Sequence, residues 1–187
     1  MVPETLINRC ARQEPKAQYE LYRALHGLMM SICTRYERNR QDAVARMNQG
    51  FLKVLQNIGD RRPGVPFDAW VSRIMINTAI DDFRKQRNRR EQEVVMEPVE
   101  DGRAAMVNEY LRDMEAEAFA ALLDRVPPMS RNVFNLHAID GYAHAEIAEL
   151  LQISEGTSKW HVANARAILQ KAIAQQAKAA TIKTEVR

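Results

Sequence analysis

Wherever the apolar residues of this chain are periodic, they recur at the spacing of a helix. Between residues 15 and 36, Leu21, Leu25, Leu28 and Ile32 fall at i, i+4, i+7 and i+11 and share one face. From 40 to 58, Val44, Met47, Phe51, Val54, Leu55 and Ile58 repeat the pattern, and a third helix starting near Phe67 is expected to bury Phe67, Val71, Ile74, Met75 and Thr78. All seven prolines (3, 15, 63, 66, 98, 127 and 128) stand outside these stripes, where a missing amide donor does least harm. Aromatic content is only 6% and glycine is scarce, which also disfavours a β-sandwich. The expected fold class is all-α.

Two segments break the helical pattern. "GDRRPGVP", residues 59 to 66, packs two glycines and two prolines into one stretch and cannot be helix. "EQEVVMEPVEDGRAAMV", residues 91 to 107, is acidic, carries Pro98 and Gly102, and sustains no periodicity. Charge divides the chain at the same place. Residues 1 to 90 hold 17 Lys and Arg against 9 Asp and Glu, residues 91 to 125 hold 3 against 10, and residues 126 to 187 hold 7 against 5. The expected organisation is a basic, polyanion-binding domain over 1–90, a flexible acidic linker over 91–107, a second helical domain over 108–178 and a disordered tail over 179–187.

Several function classes fall away. No stretch approaches eighteen uninterrupted apolar residues, and "MVPETLINRCARQEPK" lacks the apolar core of a signal peptide, so a cytoplasmic protein without membrane insertion is expected. Cys10 and Cys33 are read as reduced thiols, and His26, His137, His144 and His161 fall at no metal-site spacing. No nucleophile, base and orienting group assemble from recognised spacings, and there is no glycine-rich phosphate loop. Asp81 reads as an i, i+4 partner of Lys85 rather than as half of a catalytic pair. Neither enzyme, metal nor cofactor is expected.

What remains points to nucleic acid. Arg73, Asn77 and Arg84 lie at i, i+4 and i+11 on the third helix, with Trp70 one turn before Arg73. Cations hold phosphates while a nearby aromatic face stacks on an unpaired base, the combination suited to single-stranded DNA. The run "RKQRNRR", containing Arg84, Lys85 and Arg87, extends that basic surface. Near the C-terminus, Gly141 ends a short helix, "HAEIAELLQ" forms another, and Ser154 is a natural N-cap for "EGTSKWHVANARAILQKAI". Two helices joined by so short a turn make a helix-turn-helix. On the second of these, Val162, Ala165, Leu169 and Ile173 face the core, and Trp160 lies about 160° from Val162. An outward tryptophan implies contact with a DNA groove or a protein partner. Thr157, Ser158, Lys159, His161 and Arg166 are the other candidates for touching DNA.

"EIAELLQISEGTSKWHVANARAILQK" resembles the fourth-region helix-turn-helix of the extracytoplasmic-function (group IV) sigma factors, especially the Bacteroidetes-like type. "RNRQDAVARMNQGFLKVLQNI" followed by "FDAWVSRIMINTAIDDFRKQRN" resembles that family's second region, in the same order and at the expected separation. The resemblance covers residues 18 to 175. It implies a transcription-initiation subunit that binds core RNA polymerase, with the second region reading and opening the −10 element and the fourth reading the −35 element of promoter DNA. It also implies that the helix carrying Asp42, Asn48, Gln49, Phe51, Leu52 and Leu55 docks on polymerase. Arg61 and Arg62 in the loop at 59–66, with the helix from Trp70 onward, would face the non-template strand. An anti-sigma factor or another recruiting protein is an implied further partner.

Departures from the family fall in both regions. Val44, Ala45, Asn48 and Gln49 replace residues that are usually acidic or glutamine, which makes docking less electrostatic. Trp160, His161 and Asn164 replace serine, glutamine and arginine. A lost cationic groove contact removes on the order of 1 to 3 kcal/mol of base discrimination. Two alternatives to a sigma factor stay open on sequence alone: a sigma-derived adaptor recruiting polymerase to DNA chosen by a partner, and a plain helix-turn-helix regulator.

Overall fold

The structure, a computed structural model, describes residues 2–62, 64–88 and 116–185, with the side chains of 86–88, 116–117, 119–120 and 177–185 left out. Every regular element among the described residues is helical. The chain divides into two compact units, Met1–Glu91 and Gln92–Arg187. The expected linker over 91–107 and the boundary at 108 lie outside the described residues.

In the first unit, α1 spans Glu4–Ala11, α2 Pro15–Tyr36, α3 Arg40–Asn57 and α4 Phe67–Asn88, with a 3-10 turn over Ile58–Asp60. Pro15 opens α2, where its missing N–H is not needed. Asn39 Oδ1 caps α3 by accepting from the Asp42 N–H at 2.8 Å. Helices α2, α3 and α4 pack mutually around Leu21, Leu25, Met29, Met47, Val54, Val71, Met75 and Ile80, all essentially without exposure. The α2 stripe departs from expectation in its middle. Met29 is buried and Leu28 only half-buried, because α1, α3 and α4 all pack on α2 and together select a different arc. On α4, Ile76 and Ile80 are buried where Ile74 was expected to be.

Two features set how closely these helices approach. A Cβ on Gly50 would lie 2.4 Å from Met75 Sδ, so α3 and α4 meet at a glycine. Arg46, on α3, then ties the bundle polar-side: its guanidinium binds Glu37 beyond α2 at 2.8 Å, Gln49 at 2.8 Å and Asp82 on α4. Asp81 reaches Lys53 on α3, at 3.5 Å, rather than the expected Lys85. A carboxylate between two packed helices has a cross-helix cation within reach as readily as one four residues on. Cys10 and Cys33 are free and buried.

The second unit comprises α5 (Ala116–Leu123), α6 (Pro128–Phe134) with a π-helical turn over Asn135–Ile139, α7 (His144–Leu151) and α8 (Glu155–Glu185). Its core joins Leu122, Leu123, Val126, Phe134, Ala165, Leu169 and Ala172, with Ile168 and Ile173 packed against them. Arg131 is 2% exposed and donates to Asp124 at 2.7 Å. Gly141, at φ 76°, turns the chain between the π-helical turn and α7. Backbone helix continues to Glu185, into the stretch expected as a tail. Alanines 172, 174, 177, 179 and 180 favour helix enough to carry it on.

Candidate nucleic-acid interface

The loop between the 3-10 turn and α4 presents Arg62, Gly64, Val65 and Pro66 to solvent. Gly64 adopts φ 86°, a left-handed conformation that a side chain would strain. Arg61 does not join its neighbours. It binds the Glu4 carboxylate, donates to the Val65 carbonyl at 2.9 Å and lies 5.8 Å from the Phe67 ring centroid. The structure thus turns Arg61, expected as a strand-binding cation, toward Glu4 and the Val65 carbonyl. Trp70 is half-buried and stacks on Phe67, with centroids 5.7 Å apart and planes 28° from parallel.

Along α4, Arg73 and Lys85 are exposed and Asn77 and Arg84 half-buried. Arg73, Asn77 and Arg84 fall on one face of α4. That face also holds exposed Asp81, whose charge Lys53 offsets. The Arg87 side chain lies outside the described residues.

Helix α3 turns a second surface outward. Asn48, Gln49 and Leu52 are exposed, Phe51 and Leu55 flank them half-buried, and Asp42 is exposed in the first turn. Leu52 is 55% exposed, a large apolar group in water. Phe51 meets Tyr22 of α2 edge-on at 5.2 Å, and the Tyr22 hydroxyl donates to Asn48 Oδ1 at 3.2 Å. Tyr19, one turn before Tyr22, is 64% exposed. The α2 aromatics were missed in the sequence because they fall off the apolar stripe.

In the second unit, α7 and α8 form the expected helix-turn-helix. Gln152 takes a left-handed conformation at the end of α7. Ser154 Oγ then accepts from the Thr157 N–H at 2.9 Å. Ile147 and Leu151 seat α7 on the core. The structure places two of the expected DNA contacts on α8 in the interior. Ser158 is fully buried and shares a hydrogen bond with His144 Nδ1 at 2.9 Å. His161 is also buried, with Nδ1 2.9 Å from Ser130 Oγ, to which Asn164 Nδ2 donates at 3.0 Å. Apolar residues alone mark too narrow a core face on α8. The polar side chains beside them line the joints with α7 and α6, and burial obliges them to pair.

Elsewhere on α8, Lys159 is exposed, while Thr157, Trp160 and Arg166 are half-buried, Arg166 with its Nε shielded from solvent. Trp160 is therefore less free than its 160° separation suggested. Its ring meets that of His161 edge-on at 4.9 Å, since a long flat side chain can lie back along its own helix. His144 stacks on His137 with centroids 4.1 Å apart. Burial, then His137, Lys159 and Arg166, push the His144 imidazole below its ordinary range, against an opposing pull from Glu155. This histidine network was not legible in sequence, because it depends on how α6, α7 and α8 cross. Among the described residues no group of acids, histidines and cysteines could hold a metal ion, and no helix is long and apolar enough to cross a membrane.

Comparison with known proteins places both units. The profile of Sigma-70 region 2 matches residues 21–89, and that of Sigma-70, region 4 matches 116–169. Together these cover well over half of the chain. The chain is 24% identical over 184 residues to an ECF RNA polymerase sigma-E factor of Haemophilus influenzae, covering 92% of this chain and 96% of that protein. It is 24% identical over 181 residues to the RNA polymerase sigma-H factor of Pseudomonas aeruginosa, covering 91% and 93%. In fold it resembles the sigma factor RpoE of Bartonella quintana, solved in complex with the anti-sigma factor NepR, with a TM-score of 0.50, 16% identity and coverage of 82% of this chain and 96% of that one.

Proposed function

The chain belongs to the extracytoplasmic-function group of RNA polymerase sigma factors, and from that premise we propose which of its surfaces do the work. It is an alternative sigma factor that binds core RNA polymerase and directs transcription initiation at promoter DNA. The observation that carries this is the presence of both regions in order, each on its own compact unit. The names of its relatives carry the group, not the Bacteroidetes-like subtype. It acts in the cytoplasm by binding and positioning, without chemistry of its own.

In the first unit, Asn48, Gln49, Phe51, Leu52 and Leu55, with Asp42 at the helix start, dock on polymerase. A 55% exposed leucine beside half-buried Phe51 supports that role, since burying it on a partner removes apolar area from water. Arg62, Arg73, Arg84, Lys85 and Arg87 hold the displaced strand by its phosphates, Asn77 hydrogen-bonds it, and Trp70 offers a ring for an unpaired base. In the second unit, Lys159, Arg166 and the first turn of α8 at Thr157 approach the −35 duplex. Trp160 supplies an apolar contact, to a thymine methyl or to a partner protein, in place of the family's polar readout. Control by an anti-sigma factor is proposed by analogy with the Bartonella complex.

Run-off transcription with purified core polymerase on a promoter library tests the assignment. Initiation by this chain alone is expected. Polymerase binding without initiation would make it an adaptor, and duplex binding without polymerase a plain regulator. On a promoter so recovered, Trp160→Ala is expected to weaken −35 occupancy or partner binding. Unchanged promoter occupancy, polymerase affinity and partner binding would sink the Trp160 role.

A further inference from the structure

Arg61 is the one cation of the 59–66 loop that points away from solvent, its side chain only 16% exposed. Its three contacts join separate parts of the chain: the carboxylate of Glu4 at the start of α1, the Val65 carbonyl within the loop and the Phe67 ring at the start of α4. Phe67 in turn carries the stacked Trp70. Helix α1 also packs on the 3-10 turn that feeds the loop, and buries Ile7 and Cys10 against the unit. The region 2 match begins at residue 21, so α1 precedes it.

We propose that α1 braces the strand-opening loop, with Glu4 acting through Arg61 to hold both the loop and the Phe67–Trp70 stack in the conformation that receives an unpaired base. The proposal rests on the sigma-factor reading and adds a positioning pair to it. Anchoring Arg61 from below fixes the two ends of a short loop whose turn is made at Gly64, leaving Arg62 and Val65 to face the strand. A loop so held loses little conformational freedom when DNA arrives, which favours the open complex. Glu4 and Arg61 are positioning residues, because they act through the loop conformation that their ion pair and the Arg61 bond to the Val65 carbonyl hold, not by touching the strand. Electrostatics alone predicts the opposite sign for one variant. Replacing Glu4 by a cation adds positive charge near a basic surface and would tighten DNA, whereas loss of the brace weakens opening.

The test uses the full chain with core polymerase on a promoter recovered as above, reading permanganate reactivity of unpaired −10 thymines and the lifetime of the open complex. Glu4→Arg and Arg61→Glu are each expected to shorten that lifetime and lower the reactivity by about two- to fivefold, the scale of an ion pair with one partner open to solvent. Affinity for core polymerase should not move. The double variant Glu4→Arg, Arg61→Glu re-forms the pair with its charges exchanged and is expected to recover most of the loss. Glu4→Gln, which leaves Arg61 in place, should act in the same direction to a smaller extent and guards against misfolding of Arg61→Glu. The brace is overturned if Glu4→Arg and Glu4→Gln are silent or tighten opening, or if the double variant is no better than Arg61→Glu while the salt slope of strand binding falls by about one ion, the signature of a direct phosphate contact. Failure of the unaltered chain to open any promoter would instead refute the sigma-factor reading, and the brace with it.

Discussion

Cys33 lies on α2 with no exposed surface, and burial, aided by Glu37, pushes its thiol up to about 12 against the opposing pull of Arg46 and Arg35. Burial also raises Cys10. Only the thiolate is a nucleophile, so at pH 8 Cys33 in the folded chain holds roughly a thousandfold less reactive form than in the unfolded one. Modification by a thiol-reactive dye should therefore be slow and should speed up with denaturant in step with unfolding. Rapid labelling of Cys33 in the native chain would contradict this. Ser154 is the opposite kind of residue, exposed yet structural, since its hydroxyl satisfies the Thr157 amide at the start of α8. Ser154→Ala is expected to destabilise the second unit by about 1 kcal/mol and Ser154→Asp to leave it nearly unchanged. Thermal melts of the three proteins check the ranking.

At the scale of elements, the histidines make the helix-turn-helix sensitive to pH. His144 stands in the first turn of α7, bonds to Ser158 of α8 and stacks on His137. Its folded imidazole is held below the ordinary value near 6.5, so as pH falls through that value the unfolded state takes up the proton first. Its contribution to stability is therefore present above about pH 6.5 and lost below it. The protection of α7 amides against hydrogen exchange, taken relative to the intrinsic rate at each pH, should fall between pH 7.5 and 5.5, and His144→Gln should flatten that dependence. An equal fall in the variant would place its cause elsewhere. These elements also mark how far sequence reaches. The helices of the first unit and the capping serine of α8 were legible because helical period and cap chemistry are local. The Ser158, His161 and Arg61 pairings were not, since each is decided by a partner between 14 and 57 residues away in the chain.

On the scale of the whole molecule, two compact units each with their own core are proposed to read two elements of one promoter. The second unit offers few cations to DNA, and the family's recognition-helix arginine is replaced by Asn164, which is spent on Ser130. That unit is then not expected to hold a promoter firmly alone, and the connector converts its contact into an intramolecular one. Its strength follows an effective concentration that falls roughly as the −3/2 power of connector length once the span is exceeded. Inserting a Gly/Ser segment as long as residues 91–107 into that stretch should lower occupancy of a promoter bearing both elements by about threefold. Occupancy of DNA bearing only the −10 element should stay unchanged, because a single contact does not draw on the connector. Holoenzyme binding to the two DNAs, measured with the native and lengthened chains at one salt concentration, separates these outcomes. Equal losses on both would mean that the insertion damages a unit rather than their linkage.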